Sequence, residues 1–267
     1  MMPSHLIQPA KIPIEIPRGT EEMPKQVQYK KVTTSWDDFL KATNTNAFLV
    51  IRNGVLTYEW YKTGFDASTQ FPSYSVAKTM TSIMIGRLIS EGKIKESDHF
   101  IDFYPELKNG SAFDRVTIKS LLDMQGGIAV SDNYPTGPQG WGVAIAQMYA
   151  TTDMHWFLSH NRKMDSEPGA RAEYRSVDTQ LLGMIIKKVT GKKVADYFSE
   201  MVWQKVGAEF PATWNVDRVG GFEKTFCCFN AAARDYARVG LAILNGGYSS
   251  STQIITKDWL NRITTPV

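Results

Sequence analysis

The chain has 267 residues, 43% of them hydrophobic, with 30 basic and 27 acidic side chains for a formal net charge of +3. That length and mix suit one globular unit with a substantial core and exclude a disordered or fibrous chain. The weak charge, spread without long runs, offers no footing for nucleic acid or an anionic membrane and leaves a small molecule as the expected partner.

Residues 1–30, rich in Pro, Lys and Glu, read as an N-terminal arm lying over the domain. They lack the apolar core of a secretory signal, and no later stretch approaches the ~18 uninterrupted apolar residues of a membrane span. The default compartment is therefore the cytoplasm, or the periplasm if a signal has been removed. The run "NAFLVIRNGVLTYEWYKTG" sets two β-rich segments around Asn53-Gly54, a dipeptide suited to the two positive-φ positions of a type I′ turn, and predicts an antiparallel hairpin. From Ser75, "SVAKTMTSIMIGRLISEGK" is apolar around most of its circumference, which predicts a buried helix ended by Gly92 with its polar first turn opening into a cleft. "TIKSLLDMQGG" predicts a helix stopped at Gly126-Gly127, and the following "SDNYPTGPQGWG" is a loop suited to lining a pocket. Further helices are expected in "TTDMHWFLSHN", "SVDTQLLGMIIKKVTG", "KKVADYFSEMVWQKVG", "NAAARDYARVGLAILNGG" and "TKDWLNRITT".

Several chemistries lack their signatures. His5, His99, His155 and His160 are scattered, none with an acidic partner at HExxH spacing, so no metal site and no cofactor is expected. The nucleophile elbow GxSxG and the phosphate loop GxxxxGK[ST] are both missing. Cys227 and Cys228 are adjacent, where a bridge closes no useful loop, and are expected to be reduced packing residues.

Ser75 and Lys78 remain as a candidate nucleophile and base. The spacing alone carries little, since Ser90-Lys93 repeats it at the wrong end of the same helix. At the first turn, however, positions three apart share a face, the backbone N–H groups are free to meet an oxyanion, and a desolvated lysine can act as general base. Tyr174, just ahead of an amphipathic helix, can enter the same cleft as a proton shuttle. The plainer alternatives are a Ser75 N-cap beside a solvated Lys78, and a packing tyrosine.

Taken in order, the hairpin, "SYSVAKTMTS", "TIKSLLDMQGGIAVSDNY", "PGARAEYRSVDTQLLGMIIKKVTG" and "FNAAARDYARVGLAILNGG" resemble the serine β-lactamase and penicillin-binding-protein superfamily, in particular its class C-type esterase and 6-aminohexanoate-dimer hydrolase branch. The resemblance runs from about Asn46 to the end. It implies an α+β, β-lactamase-like fold: an antiparallel sheet flanked by helices, plus a mainly helical part. Residues 31–267 then form a single domain, with the α/β part at about 31–100 and 226–267 and the helical part at about 101–225. It implies Ser75 as the acylated nucleophile, with Lys78 and Tyr174 sharing the proton transfers, and Tyr134, Ser176 and Asn230 on the substrate side, with Trp141 as a wall of the pocket. For Asn230 the alternative is a helix N-cap. Enzymes of class C proper carry Tyr-x-Asn where this chain has Tyr174-x-Ser176, which weakens a β-lactamase reading.

The superfamily's third motif, Lys or His, then Thr or Ser, then Gly, follows all of these segments, and the chain stops at Val267 before it; Lys62-Thr63-Gly64 lies ahead of the nucleophile, in the wrong order. The expectation is therefore a companion C-terminal fragment of the same polypeptide that supplies the final strands. The expected activity is hydrolysis of a small ester or amide through an acyl-serine. The alternatives are a D-amino-acid peptidase or weak β-lactamase, and, in another class, a non-catalytic binding or assembly module on the same fold.

Overall fold

The computed structural model describes residues 2–133 and 143–266. Strand β1 (Ser4–Ile7) opens the chain, followed by β2 (Gln26–Tyr29), β3 (Val32–Ser35) and helix α1 (Trp36–Ala42). Then come β4 (Ala47–Arg52), β5 (Val55–Tyr61), β6 (Gln70–Pro72) and the central helix α2 (Ala77–Ser90). The helical part holds α3 (Phe100–Phe103), α4 (Ile118–Leu122), α5 (Ala144–Ala150), α6 (Met154–His160), α7 (Ser176–Thr190) and α8 (Val194–Phe198). Strands β7 (Ala212–Asn215) and β8 (Phe229–Ala232) return to the sheet, and α9 (Ala233–Leu244) and α10 (Lys257–Thr264) complete the described chain.

The expected hairpin is β4–β5, antiparallel, turned by Asn53 (φ 51°) and Gly54 (φ 80°), with a bulge between Val50 and Ile51. A separate four-stranded antiparallel sheet runs β1-β7-β8-β6. Its first strand departs from the expectation of an overlying arm: Ser4–Ile7 pairs in full register with Asn215–Ala212, and Ile7 is fully buried. Alternation explains it, because His5 and Ile7 face inward while Ser4 and Leu6 face out, a period-2 pattern too short to stand out in a polar leader. Residues beyond β1 do lie across the surface, tied by Ala10 and Ile14 N–H bonds to Ala208 and Gly207 and by the Arg238 guanidinium to the Ile14 carbonyl.

Helix α2 is buried on several sides, with Met80, Ile83, Met84, Ile85 and Leu88 each at most 2% exposed. At roughly 1.5–3 kcal/mol for each large apolar side chain removed from water, this one helix anchors much of the core. It packs on α7, while α4 also packs on α7 and Trp259 of α10 seats its indole on the back of α2, donating Nε1–H to the Ser82 carbonyl at 3.0 Å. Gly86 makes that approach feasible, since a β-carbon there would overlap the Trp259 ring.

Two further expectations are corrected near β8. The segment "NAAA" was expected at the start of a helix; instead Phe229–Ala232 forms β8, bonded to both β6 and β7, and the helix begins at Ala233. Tertiary pairing prevails here over alanine's helix preference. Cys227 and Cys228 are joined as a disulfide rather than remaining separate thiols. The turn before β8 takes Cys228 into the left-handed region (φ 67°), so the two side chains do not point to opposite faces as they would in a strand.

The helical part meets the end of the "DMQGG" segment through Asp178. This side chain, in the first turn of α7, is fully buried; its Oδ2 accepts the Gly126 N–H at 3.1 Å, and its Oδ1 has no partner among the described residues. Burial pushes its carboxyl up to about 7, against the pull of the Gly126 N–H and the Arg175 guanidinium and with added repulsion from Asp132.

Two outcomes follow. Gly86→Ala is expected to lower stability by about 1–3 kcal/mol through overpacking against Trp259, read as a lower urea midpoint with unchanged m-value; an unchanged midpoint would mean that the indole is not seated there. For Asp178, the folded protein keeps a proton that the unfolded chain releases from about pH 4 upward, so stability falls as pH rises towards 7, by at most about 1.4 kcal/mol per unit. Asp178→Asn removes that dependence, and the stability difference should shift in the variant's favour across that window; a difference independent of pH would show the carboxylate to be solvated.

Candidate active site

Ser75 sits at an elbow. After β6, the Ser73 N–H donates to the Phe229 carbonyl at 2.7 Å, Tyr74 takes a left-handed backbone (φ 45°), and Tyr74–Val76 forms a single 3₁₀ turn that leads directly into α2. A positive φ on an aromatic residue costs on the order of 1–2 kcal/mol, a strain that the surrounding bonds must hold. The result lifts Ser75 to the surface while Ala77, two residues on, is completely buried. The backbone N–H of Ser75 belongs to the first turn, where donors have no intrahelical acceptor.

Lys78, one turn further, is half-buried and reaches three acceptors from three separate segments: Ser75 Oγ at 3.1 Å, Ser176 Oγ at 3.1 Å and the Phe226 carbonyl at 2.8 Å. An ammonium has three protons and no acceptor capacity, so this set satisfies it completely. As a neutral amine it keeps two donors and gains one lone pair. The structure thus brings together the predicted Ser75 and Lys78 and adds Phe226, a backbone group that no side-chain motif signals.

Tyr174 is half-exposed and presents its ring face to Lys78, with Nζ 4.8 Å from the ring centroid. It therefore stands beside the lysine, which it meets by its π face. Ser176, expected on the substrate side, is turned inward instead and is only 1% exposed. Its hydroxyl donates to Asp132 Oδ2 at 2.6 Å and accepts from Lys78, and its backbone N–H donates to Asp132 Oδ1 at 2.7 Å. Asp132 thus caps the start of α7, a role that the sequence signals only as an acidic residue in a Gly/Pro-rich loop.

Asn230, also expected on the substrate side, lies in β8, and its side-chain amide donates to Asn215 Oδ1 at 3.1 Å and to Thr213 Oγ1 and the Cys228 carbonyl, each at 3.3 Å. Its amide nitrogen braces β7, and its backbone pairs with Pro72 of β6, in the strand that precedes the helix rather than at the helix cap, which is Ala232. Tyr134 and Trp141 lie outside the described residues. Lys62-Thr63-Gly64 falls in the turn that leaves β5, where Gly64 has φ 91°. No cluster of His, Cys, Asp and Glu suited to a metal ion occurs among the described residues. No helix among them is long and apolar enough to cross a membrane.

The family model described as Beta-lactamase matches residues 37–265. The chain is 31% identical over 232 residues to the 6-aminohexanoate-dimer hydrolase of Paenarthrobacter ureafaciens, covering 84% of this chain and 58% of that protein. Among solved structures it is similar to one titled "Putative 6-aminohexanoate-dimer hydrolase from Bacillus anthracis", at TM-score 0.88 and 26% identity, over 99% of this chain and 71% of that one. A family VIII carboxylesterase shares the fold at TM-score 0.65 and 19% identity, over 85% of this chain and 72% of that one. The chain thus spans less than two thirds of the curated hydrolase that it matches. With its α+β, β-lactamase-like fold and a family match over most of its length, the chain belongs to the beta-lactamase family.

Proposed function

We propose that this protein is a serine hydrolase that cleaves a small ester or a linear amide through an acyl-Ser75 intermediate. The observation that carries the reading is the 3.1 Å bond between Lys78 Nζ and Ser75 Oγ at the elbow ahead of α2. With Lys78 neutral, Ser75 donates its proton along that bond as Oγ attacks the substrate carbonyl. The Ser75 N–H then meets the developing oxyanion, and proton return from Lys78 releases the leaving group. Tyr174, against Lys78, is the group suited to assist the proton's passage to the leaving group and from the deacylating water. The 6-aminohexanoate-dimer hydrolase relative favours a linear amide between an aminoalkanoic acid and an amine as one substrate class, and the carboxylesterase-like fold is compatible with esters. Ser176 in place of the asparagine of class C enzymes supports these over a β-lactam.

Labelling with a fluorophosphonate followed by peptide mapping should place the adduct on Ser75 in the wild type and nowhere in Ser75→Ala. A folded protein that gives no adduct on Ser75 would end the serine-hydrolase reading. Lys78→Arg keeps a charge but has no neutral form to accept the proton, and should lower kcat by about 10²–10⁴; near-normal turnover would remove Lys78 from the role of base. Parallel assays with a p-nitrophenyl ester, a linear aminohexanoate dimer, a D-alanyl amide and a chromogenic cephalosporin should show turnover of the first two above the others. The reverse order would favour the peptidase or β-lactamase alternative.

A further inference from the structure

Of the three partners of Lys78, two are fixed as acceptors. The Phe226 carbonyl has no proton to give. Ser176 has one, but its hydroxyl lies 2.6 Å from Asp132 Oδ2, a carboxylate that only accepts when ionised. Asp132 cannot turn away without losing a second bond, because its Oδ1 takes the Ser176 backbone N–H at 2.7 Å. The two oxygens thus grip one residue by its backbone and its side chain together. Tyr174 adds only a π face towards the lysine.

From this we infer that Asp132 is a positioning residue for the Ser75–Lys78 pair: by holding the Ser176 proton it makes Ser176 an obligate acceptor, leaving Ser75 as the hydrogen-bonded partner able to donate into the Lys78 lone pair. The inference rests on the serine-hydrolase reading and adds to it a direction. Lys78 donates two protons to Ser176 and Phe226, and its lone pair is left facing the nucleophile. Asp132 touches neither substrate nor the reacting atoms and acts through Ser176.

Asp132→Asn tests the direction of these bonds rather than their presence. An asparagine can still accept the Ser176 N–H through its one oxygen, but its NH₂ then faces Ser176 Oγ and donates to it. Ser176 is freed to turn its own proton onto Lys78, competing with Ser75 for the lone pair. Ser176→Ala removes that competitor. In the intact protein, Asp132→Asn is expected to lower kcat on a p-nitrophenyl ester, and the rate of fluorophosphonate capture, by about tenfold or more, with KM little changed. Ser176→Ala should cost less, and the double variant should recover to about the level of Ser176→Ala alone, a strongly non-additive cycle.

A merely structural cap would give a different result, with the double variant at least as impaired as Asp132→Asn. That result would overturn the inference, as would an Asp132→Asn enzyme with unchanged capture rate. If Asp132→Asn proves unfolded in a thermal melt, Ser176→Ala still decides: a total loss of capture there would show Ser176 transferring the proton itself and would overturn the directional role. Wild-type protein that captures no probe overturns the parent reading and this one together, whereas normal wild-type capture with an unresponsive Asp132→Asn overturns this one alone.

Discussion

The amino group of Lys78 is the constraint on which the rest of the site depends. A half-buried lysine nitrogen needs an acceptor for every proton it carries, and leaving one unmade costs about 1–3 kcal/mol, more when the group is charged. Its three acceptors come from positions 75, 176 and 226, so the head of α2, the first turn of α7 and the turn before β8 must converge within hydrogen-bond reach of one atom. Nothing local in the chain forces those segments together. Their convergence is a property of the whole fold, and it makes the geometry around Ser75 sensitive to packing at a distance.

Each segment has its own anchor. Helix α2 is fixed by apolar burial and by Trp259 over Gly86. The first turn of α7 is held by Asp132 at Ser176 and by Asp178 at Gly126, and both partners belong to the stretch that follows α4. Arg175, almost wholly buried beside them, ties the same junction to Asp165 at 2.7 Å and Glu173 at 2.8 Å. The third segment is spliced to the sheet: Phe226 supplies one carbonyl to Lys78, and Phe229, three residues on, supplies another to Ser73 just ahead of Ser75. Between these two carbonyls stand Cys227 and Cys228, joined to each other. A short run of backbone therefore sets the height of both Ser75 and Lys78.

Local rules made much of this legible in the sequence. Asn53-Gly54 specified its turn, the apolar circumference of α2 specified its burial, and Gly92 and Gly191 end their helices in the left-handed region with φ 69° and 67°. Ser75 and Lys78 could be read because their spacing on one helical face is itself local. What escaped was non-local. Ser176 takes its orientation from Asp132, 44 positions earlier, and a strand pairing, not its alanine-rich neighbours, decides the conformation of Asn230. The strand at Ser4–Ile7 is paired to residues more than 200 positions away, and its short alternation is indistinguishable from chance until that partner is known. Phe226 was beyond reach in principle, since every residue has a carbonyl.

The polar groups around Ser75 show what the fold gives up to hold this arrangement. Tyr74 is kept in a backbone region that disfavours it, and among the described residues Asp178 Oδ1 and Arg175 Nε, both buried, have no hydrogen-bond partner. None of the three improves packing, and each lies within a few residues of a group bonded to Lys78 or its partners. A fold selected for stability alone would replace such groups with apolar ones, because an imperfectly satisfied buried polar cluster is less stable than a well-packed apolar substitute. Their concentration at one junction follows if the position of Lys78 Nζ, and not the stability of α7, is what these side chains fix.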